Sequence, residues 1–173
     1  MTSGEFRGQV WVHYGQIELE ADEPGELPDW GDFFRHSLVG LIGTQPGHAI
    51  MLTGLHTGTV TFTVVVADQD PGAALDDYDD VVEIDLEARS DQIRLVEWGD
   101  EATHELPPLP AGPGAYRLRY HARGMDAAAQ ADTNLGEQPM DEYLLQIWPA
   151  VPTAPASIKI TSDQARYWQA DKR

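Results

Sequence analysis

The strongest constraint on how this chain can fold lies in two stretches, 115–124 and 142–149, separated by a long polar segment. In the first, Tyr116, Leu118, Tyr120 and Ala122 alternate with Arg117, Arg119, His121 and Arg123. Side chains of an extended strand point alternately to opposite faces, so this stretch presents one apolar row and one basic row. In the second, residues 143–148 are apolar on both faces except for Gln146, as expected of a strand covered from both sides. The two are predicted to be the arms of a hairpin that holds much of the core.

Other strand patterns surround it. Val10, Val12 and Tyr14 alternate with Trp11 and His13, and Gly15 interrupts before Ile17 and Leu19, so 9–20 reads as a strand or bent strand pair. Residues 1–8 are expected to be a flexible N-terminus. Trp30, Phe33, Phe34, Leu38 and Leu41 recur at helical spacing behind Asp29, a suitable N-cap, predicting a short helix that ends before Gly40. Strands are predicted at 49–53, 57–67, 80–88, 92–98 and 103–106, with a hairpin loop at 54–58 and an edge strand at 157–160. The proline-rich stretches 106–114 and 149–155 read as extended connectors. Residues 125–141 read as a loop long enough for a binding role. Thr161-Ser162-Asp163-Gln164 fits a capping box ahead of Ala165, Tyr167 and Trp168, giving a short helix over 161–173 whose Lys172 and Arg173 would complement its dipole. The expected fold is a single all-β domain over 1–173, an antiparallel β-sandwich of about eight or nine strands with one or two short helices. No internal repeat supports a propeller or solenoid.

Charge narrows the function. The formal net charge is -18 for 173 residues. Nucleic acid and anionic membranes are bound through Lys and Arg that displace counterions, so neither is an expected partner. The same field attracts a basic protein, although acidity also serves simply to keep a β-rich chain soluble. There are no cysteines, which removes disulfides, thiolate metal sites and a cysteine nucleophile. No apolar run nears the ~20 residues needed to span a bilayer, and the first residues do not read as a secretory signal. A cytoplasmic protein without a cofactor is the expectation.

Two charged sets are candidate sites. Asp68, Asp70, Asp76, Asp77, Asp79 and Asp80 crowd one loop, and Glu83, Asp85 and Glu87 continue along the next strand opposite inward Val82, Ile84 and Leu86. This is the candidate surface for a basic partner. It is not an EF-hand, because Gly72 falls at the fifth position of that pattern and no glutamate stands at the twelfth. The alternative is a ligand site where Arg117, Arg119, His121 and Arg123 could clamp an anion beside 125–141, although in so acidic a chain these cations suit internal compensation. If the 80–88 and 115–124 strands are neighbours, opposite charges across them would add roughly 0.2–1 kcal/mol per pair. His13, His36, His48, His56, His104 and His121 show no metal-ligand spacing, so no metal set is assigned. His13, His48, His56 and His121 would meet only through strand pairing. The five tryptophans read as core or edge-covering groups. No nucleophile elbow, phosphate loop or dinucleotide fingerprint supports an enzyme.

Several motifs carry a resemblance. Val12-His-Tyr-Gly-Gln16, Thr53-Gly-Leu-His-Thr-Gly58, Tyr116-Arg-Leu-Arg-Tyr120, Ala122-Arg-Gly-Met-Asp126 and Tyr143-Leu-Leu-Gln-Ile-Trp-Pro-Ala150, with Lys159-Ile-Thr-Ser162 and Tyr167-Trp168, resemble a family of uncharacterised bacterial proteins. That likeness spans most of the chain and implies one compact unit. A fainter one is to the competence-associated nuclease inhibitors, the ComJ-like proteins. It rests on the Val-x-Tyr-x-Gln strand at 12–16, Asp29-Trp30, and the Leu-Pro…Gly-x-Tyr-x-Leu stretch at 109–118. This resemblance implies a protein that binds and silences a nuclease. The chain departs from that pattern by its longer acidic loop and by the 125–141 insertion, so no functional residue is carried over.

Overall fold

The structure, a computed structural model, describes residues 2–25, 28–136 and 138–170. In chain order its elements are β1 (Thr2–Val12), β2 (Gln16–Glu20), α1 (Trp30–Phe34), β3 (Ile42–Gln45), β4 (His48–Leu52), β5 (Thr57–Ala67), β6 (Asp80–Ala88), β7 (Arg94–Val96) and a 3-10 turn (Trp98–Asp100). There follow β8 (Thr103–Glu105), β9 (Gly114–Arg123), α2 (Met125–Ala131), β10 (Thr133–Asn134), β11 (Glu142–Pro149), β12 (Ala156–Lys159) and α3 (Asp163–Ala170). The fold is mostly β. One sheet has seven strands in the order β1-β5-β11-β9-β6-β12, with β10 also on β5; the other has five, in the order β3-β4-β2-β7-β8.

The predicted hairpin arms pair as expected, β9 antiparallel to β11 with Tyr120 opposite Leu145 and Tyr143 opposite Ala122. This register puts Tyr120 and Tyr143 face to face, 5.6 Å apart and 9° from parallel, with Phe62 of β5 beside them. All three rings are fully buried, and offset aromatic contacts add to their apolar burial. One core takes residues from both sheets, among them Val60, Phe62, Tyr120 and Leu145 from the larger and Ile17, Leu19, Met51 and Leu95 from the smaller.

Several expectations need correction. Residues 2–8 are not a flexible arm; they pair with β5, where Arg7 lies opposite Thr63 and Phe6 opposite Val64. Glycines at 4 and 8 hide this strand in the sequence, and Gly4 is needed because a Cβ there would lie 2.6 Å from the Pro107 ring. Twelve strands form among the described residues, more than expected, because β3, β10 and the short edge strands have too few residues to show a period. Pairing is mixed: β11 and β10 both run parallel to β5. A parallel pair needs a crossover rather than a turn, and here the chain passes through the other sheet between the two strands. For the same reason 54–58 is not a hairpin loop, since β4 and β5 belong to different sheets.

The helices differ too. Asp29 caps α1 by accepting from the Gly31 amide at 2.9 Å, but the helix stops at Phe34, and Leu38 stands exposed at φ 63. The 125–141 segment contains α2, which buries Met125 and Ala128, and the pair of strand residues of β10. Helix α3 forms with Ser162 as its capping side chain, its Oγ accepting from the Ala165 amide at 3.0 Å. With α1, there are therefore three short α-helices among the described residues. Lys172 and Arg173 lie outside the described residues.

Candidate functional site

The acidic and basic rows face each other. Antiparallel pairing of β6 with β9 sets Glu83 opposite Arg119 and Asp85 opposite Arg117. The Arg117 guanidinium donates to Glu83 at 3.1 Å and to Asp85 at 2.7 Å, and to the Thr153 and Ala154 carbonyls. Arg119 donates to Glu83 at 2.7 Å, to both Asp70 oxygens at 2.8 and 3.0 Å and to Gln146 at 2.8 Å, and lies 4.6 Å from the Trp148 ring. The 68–79 loop roofs the row: Gln146 Nε2 donates to the Gly72 carbonyl and the Ala74 amide donates to His121 Nε2. Arg117, Arg119 and His121 are consequently at most 5% exposed. Hydrogen bonding from Arg119 holds the Asp70 carboxyl below its ordinary range. Burial pulls the Arg119 guanidinium down, but Asp70 and Glu83 outweigh it and leave it above its usual value.

This geometry corrects the anion-clamp reading. Arg117, Arg119 and His121 are enclosed and already bonded, and Arg123, though exposed, is held by Glu142 and the Asp77 carbonyl. The acidic set divides as well. Asp80 is fully buried and accepts from the Thr161 and Ser162 amides and the Ser162 hydroxyl at 2.6–3.0 Å, so it fastens α3 and is no surface residue. Asp79 accepts from the Gly124 amide, while Glu83 and Asp85 serve the arginines. Asp68, Asp70, Asp76, Asp77 and Glu87 are the exposed members.

The smaller sheet carries a second charged face. On β2, Ile17 and Leu19 point to the core, so Gln16, Glu18 and Glu20 point away from it. On β4 the alternation places His48, Ile50 and Leu52 on that same outer face, Glu20 directly opposite His48 and Glu18 opposite Ile50. Helix α1 covers part of it with Phe33 and Phe34 on Ile50 and Leu52. Gly43 permits the approach, since a Cβ there would lie 2.2 Å from the Phe33 carbonyl oxygen. The uncovered part is a cleft of about 590 Å³ with Glu18, Glu20 and Glu97 among its lining and Trp30 and Trp98 at its sides.

Aromatic side chains continue from the cleft. Trp30 Nε1 donates to Gln16 at 2.6 Å. Trp98 lies 5.0 Å from Tyr14 and 4.9 Å from His13, which in turn is 5.6 Å from His56. Thr57 Oγ1 bonds the Nδ1 atoms of both histidines. Thus His13 and His56 do come together, whereas His48 and His121 sit on different sheets. Tyr14 occupies the tight β1–β2 turn at φ 55 and is 58% exposed; a left-handed conformation is costly for a bulky residue. Of the tryptophans expected as core or edge-covering groups, Trp148 is buried, whereas Trp30 and Trp98 are each 39% exposed and are not core groups.

Beside this cleft, Glu18, Glu20 and His48 bring one donor atom each within 4.8 Å of one another. Arg94 of β7 forms an ion pair with Glu20. Sequence reasoning passed over this group. The alternation of Gln16, Glu18 and Glu20 with Ile17 and Leu19 was visible, but His48 joins them only through the β2–β4 register.

Comparison with known proteins gives a fold likeness. No family profile matches the chain, and no curated protein matches it. Among solved structures it is similar to ComJ from Bacillus subtilis, an inhibitor of the DNA-degrading activity of NucA, with a TM-score of 0.53 at 12% identity over 87% of this chain and 99% of that one. It is also similar to the crocagin biosynthetic gene J protein, with a TM-score of 0.56 at 12% identity over 86% of this chain and 99% of that one. At such identity the likeness is one of fold, and it extends over nearly the whole of both known structures.

Proposed function

We propose that the protein is a non-enzymatic binder of another protein, an inhibitor or immunity-type partner of a basic protein such as a nuclease. Its two sheets act as a rigid cytoplasmic β-sandwich that presents an acidic surface. The observation that carries this reading is the exposed aromatic set of Trp30 and Trp98, which line a cleft with Glu18, Glu20 and Glu97, and Tyr14 beside Trp98. Interfaces are anchored by Trp, Tyr and Arg, with surrounding charge setting the encounter rate more than the final affinity. Exposed Asp68, Asp70, Asp76, Asp77 and Glu87 would supply steering, and the aromatic patch would supply the anchor. The fold it shares with ComJ supports the inhibitor type, because ComJ acts on a nuclease.

Tagged protein used as bait at low and moderate salt tests this. A single basic protein retained at stoichiometric level, and released as salt rises, is the expected result; an empty bait at low salt would remove the reading. With that partner purified, Asp76→Lys/Asp77→Lys should slow association several-fold at low salt and leave dissociation nearly unchanged, as screened long-range steering requires. Tyr14→Ala and Trp98→Ala should instead raise the dissociation rate, by tenfold or more for a central anchor.

A further inference from the structure

We infer that Glu18, Glu20 and His48 form a binding site for one divalent transition-metal ion beside the cleft that the two glutamates line. The three project from one face of neighbouring strands, with Glu20 directly across from His48 and Glu18 one pair further along. Their clustered donor atoms are joined by a second, separate sign. His48 is 5% exposed, and among the described residues its Nδ1 has no hydrogen-bond partner. Buried polar atoms are almost always satisfied, so such an atom calls for an explanation.

Nδ1 faces Glu18, 3.5 Å from Oε1. Two ligands, each about 2.0–2.1 Å from a tetrahedral metal, stand about 3.3–3.4 Å apart, so the gap that is poor for a hydrogen bond suits a shared ion. Behind the ring, Asp22 Oδ2 lies 3.9 Å from Nε2. A carboxylate on the far nitrogen of a ligating imidazole fixes which nitrogen turns to the metal. Arg94 contacts Oε1 of Glu20, leaving the other oxygen to ligate, as a partner outside a ligating carboxylate commonly does. Arg89, 3.8 Å from Asp22, is the second nearby cation. Glu18, Glu20 and Asp22 against Arg94 and Arg89 leave one carboxylate charge in excess of the arginines, which favours a bound cation.

The donor set selects the metal. Mixed imidazole and carboxylate ligands suit zinc or manganese better than calcium, and the usual order of divalent affinities places zinc above manganese. Since Glu18 and Glu20 line the open cleft, water or a partner's side chain can complete the coordination. This site goes beyond the partner-binding reading and does not depend on it.

The test is calorimetric titration of the full chain, cleared of metal by chelator, with Zn²⁺, Mn²⁺, Ca²⁺ and Mg²⁺. One equivalent of Zn²⁺ should bind, at least tenfold more tightly than Mn²⁺, with no heat from Ca²⁺ or Mg²⁺. Glu18→Gln, which keeps the shape of the side chain, and His48→Asn should each weaken Zn²⁺ at least tenfold, whereas Asp76→Asn/Asp77→Asn should not change it. Zinc should shift the ¹⁵N resonance of His48 Nδ1 rather than Nε2. Absence of stoichiometric Zn²⁺ binding, or binding that survives both site variants or falls equally in the loop variant, would overturn the site. Either outcome leaves partner capture to be judged by its own experiment.

Discussion

Replacing Arg119 with methionine is expected to lower unfolding free energy by about 3–5 kcal/mol, the range found when one member of a buried charge group is removed. In a chain of this size that corresponds to a fall in Tm of roughly 6–20 °C. The loss does not come from four missing bonds alone. Arg119 is 5% exposed, and without it Glu83 keeps only Arg117 while Gln146 loses a donor. Asp70, the loop residue tied to Arg119 through both oxygens, would repel the remaining carboxylate across the roofed face. Removing the charge from Glu83 as well should therefore restore part of the stability: Arg119→Met/Glu83→Gln should lose clearly less than the two single losses added together. Urea unfolding of the four proteins measures this cycle. Strict additivity would show that the pair is not coupled and that the ladder merely fills space.

That ladder marks what the sequence could and could not convey. Strands β5 and β6 are legible in the sequence with their full boundaries, and so is the β9–β11 pairing, because period-2 alternation and β-branched residues are local signals. The charge match between β6 and β9 was visible as a possibility and became fact only with the strand order. What could not be read was the roof. Arg117, Arg119 and His121 alternate with apolar residues as a solvent-facing row does, yet the 68–79 loop encloses them, and no local pattern records where a loop lies. Likewise 125–131 has no apolar period, since only Met125 and Ala128 of α2 are buried, too few to reveal a helix. The Glu18, Glu20 and His48 group depends on a register between strands separated by α1 and β3. Local periodicity reaches as far as one strand and its face; sites built across the sheet lie beyond it.

Lowering the pH from 6.5 to 4 should cost the protein about 3 kcal/mol through His121 alone. The ring is fully buried, and its two nitrogens have opposite duties. Nδ1–H donates to the Leu144 carbonyl at 3.1 Å, and Nε2 accepts from the Ala74 amide at 3.1 Å. A proton on Nε2 would abolish that acceptor and place a cation in an enclosed site near Arg119 and against the Tyr78 ring. Burial first, with repulsion from Arg119, brings the His121 pKa down to about 4 from an ordinary 6.5, against opposing pulls from the Leu144 carbonyl and Glu83. The sign follows. Above pH 6.5 the ring is neutral whether the chain is folded or not, and stability does not depend on it. Between 6.5 and about 4 only the unfolded chain takes up the proton, so stability falls as pH falls; below about 4 both states hold it and the loss stops growing. Asp70 belongs to a lower window, because its depressed carboxyl favours folding until the pH drops below the ordinary carboxylate value. Asp141 acts in the opposite sense, its carboxyl raised by burial so that the folded chain takes the proton first. His121→Gln isolates the effect. Measured by urea unfolding at closely spaced pH values, the variant should lose the slope between 6.5 and 4 and keep the carboxylate slope below it. The released Ala74 amide should also exchange its hydrogen faster in the parent chain at pH 4.5 than the pH dependence of exchange chemistry allows. An unchanged slope in the variant would mean that the roof of the basic row does not rest on a neutral histidine.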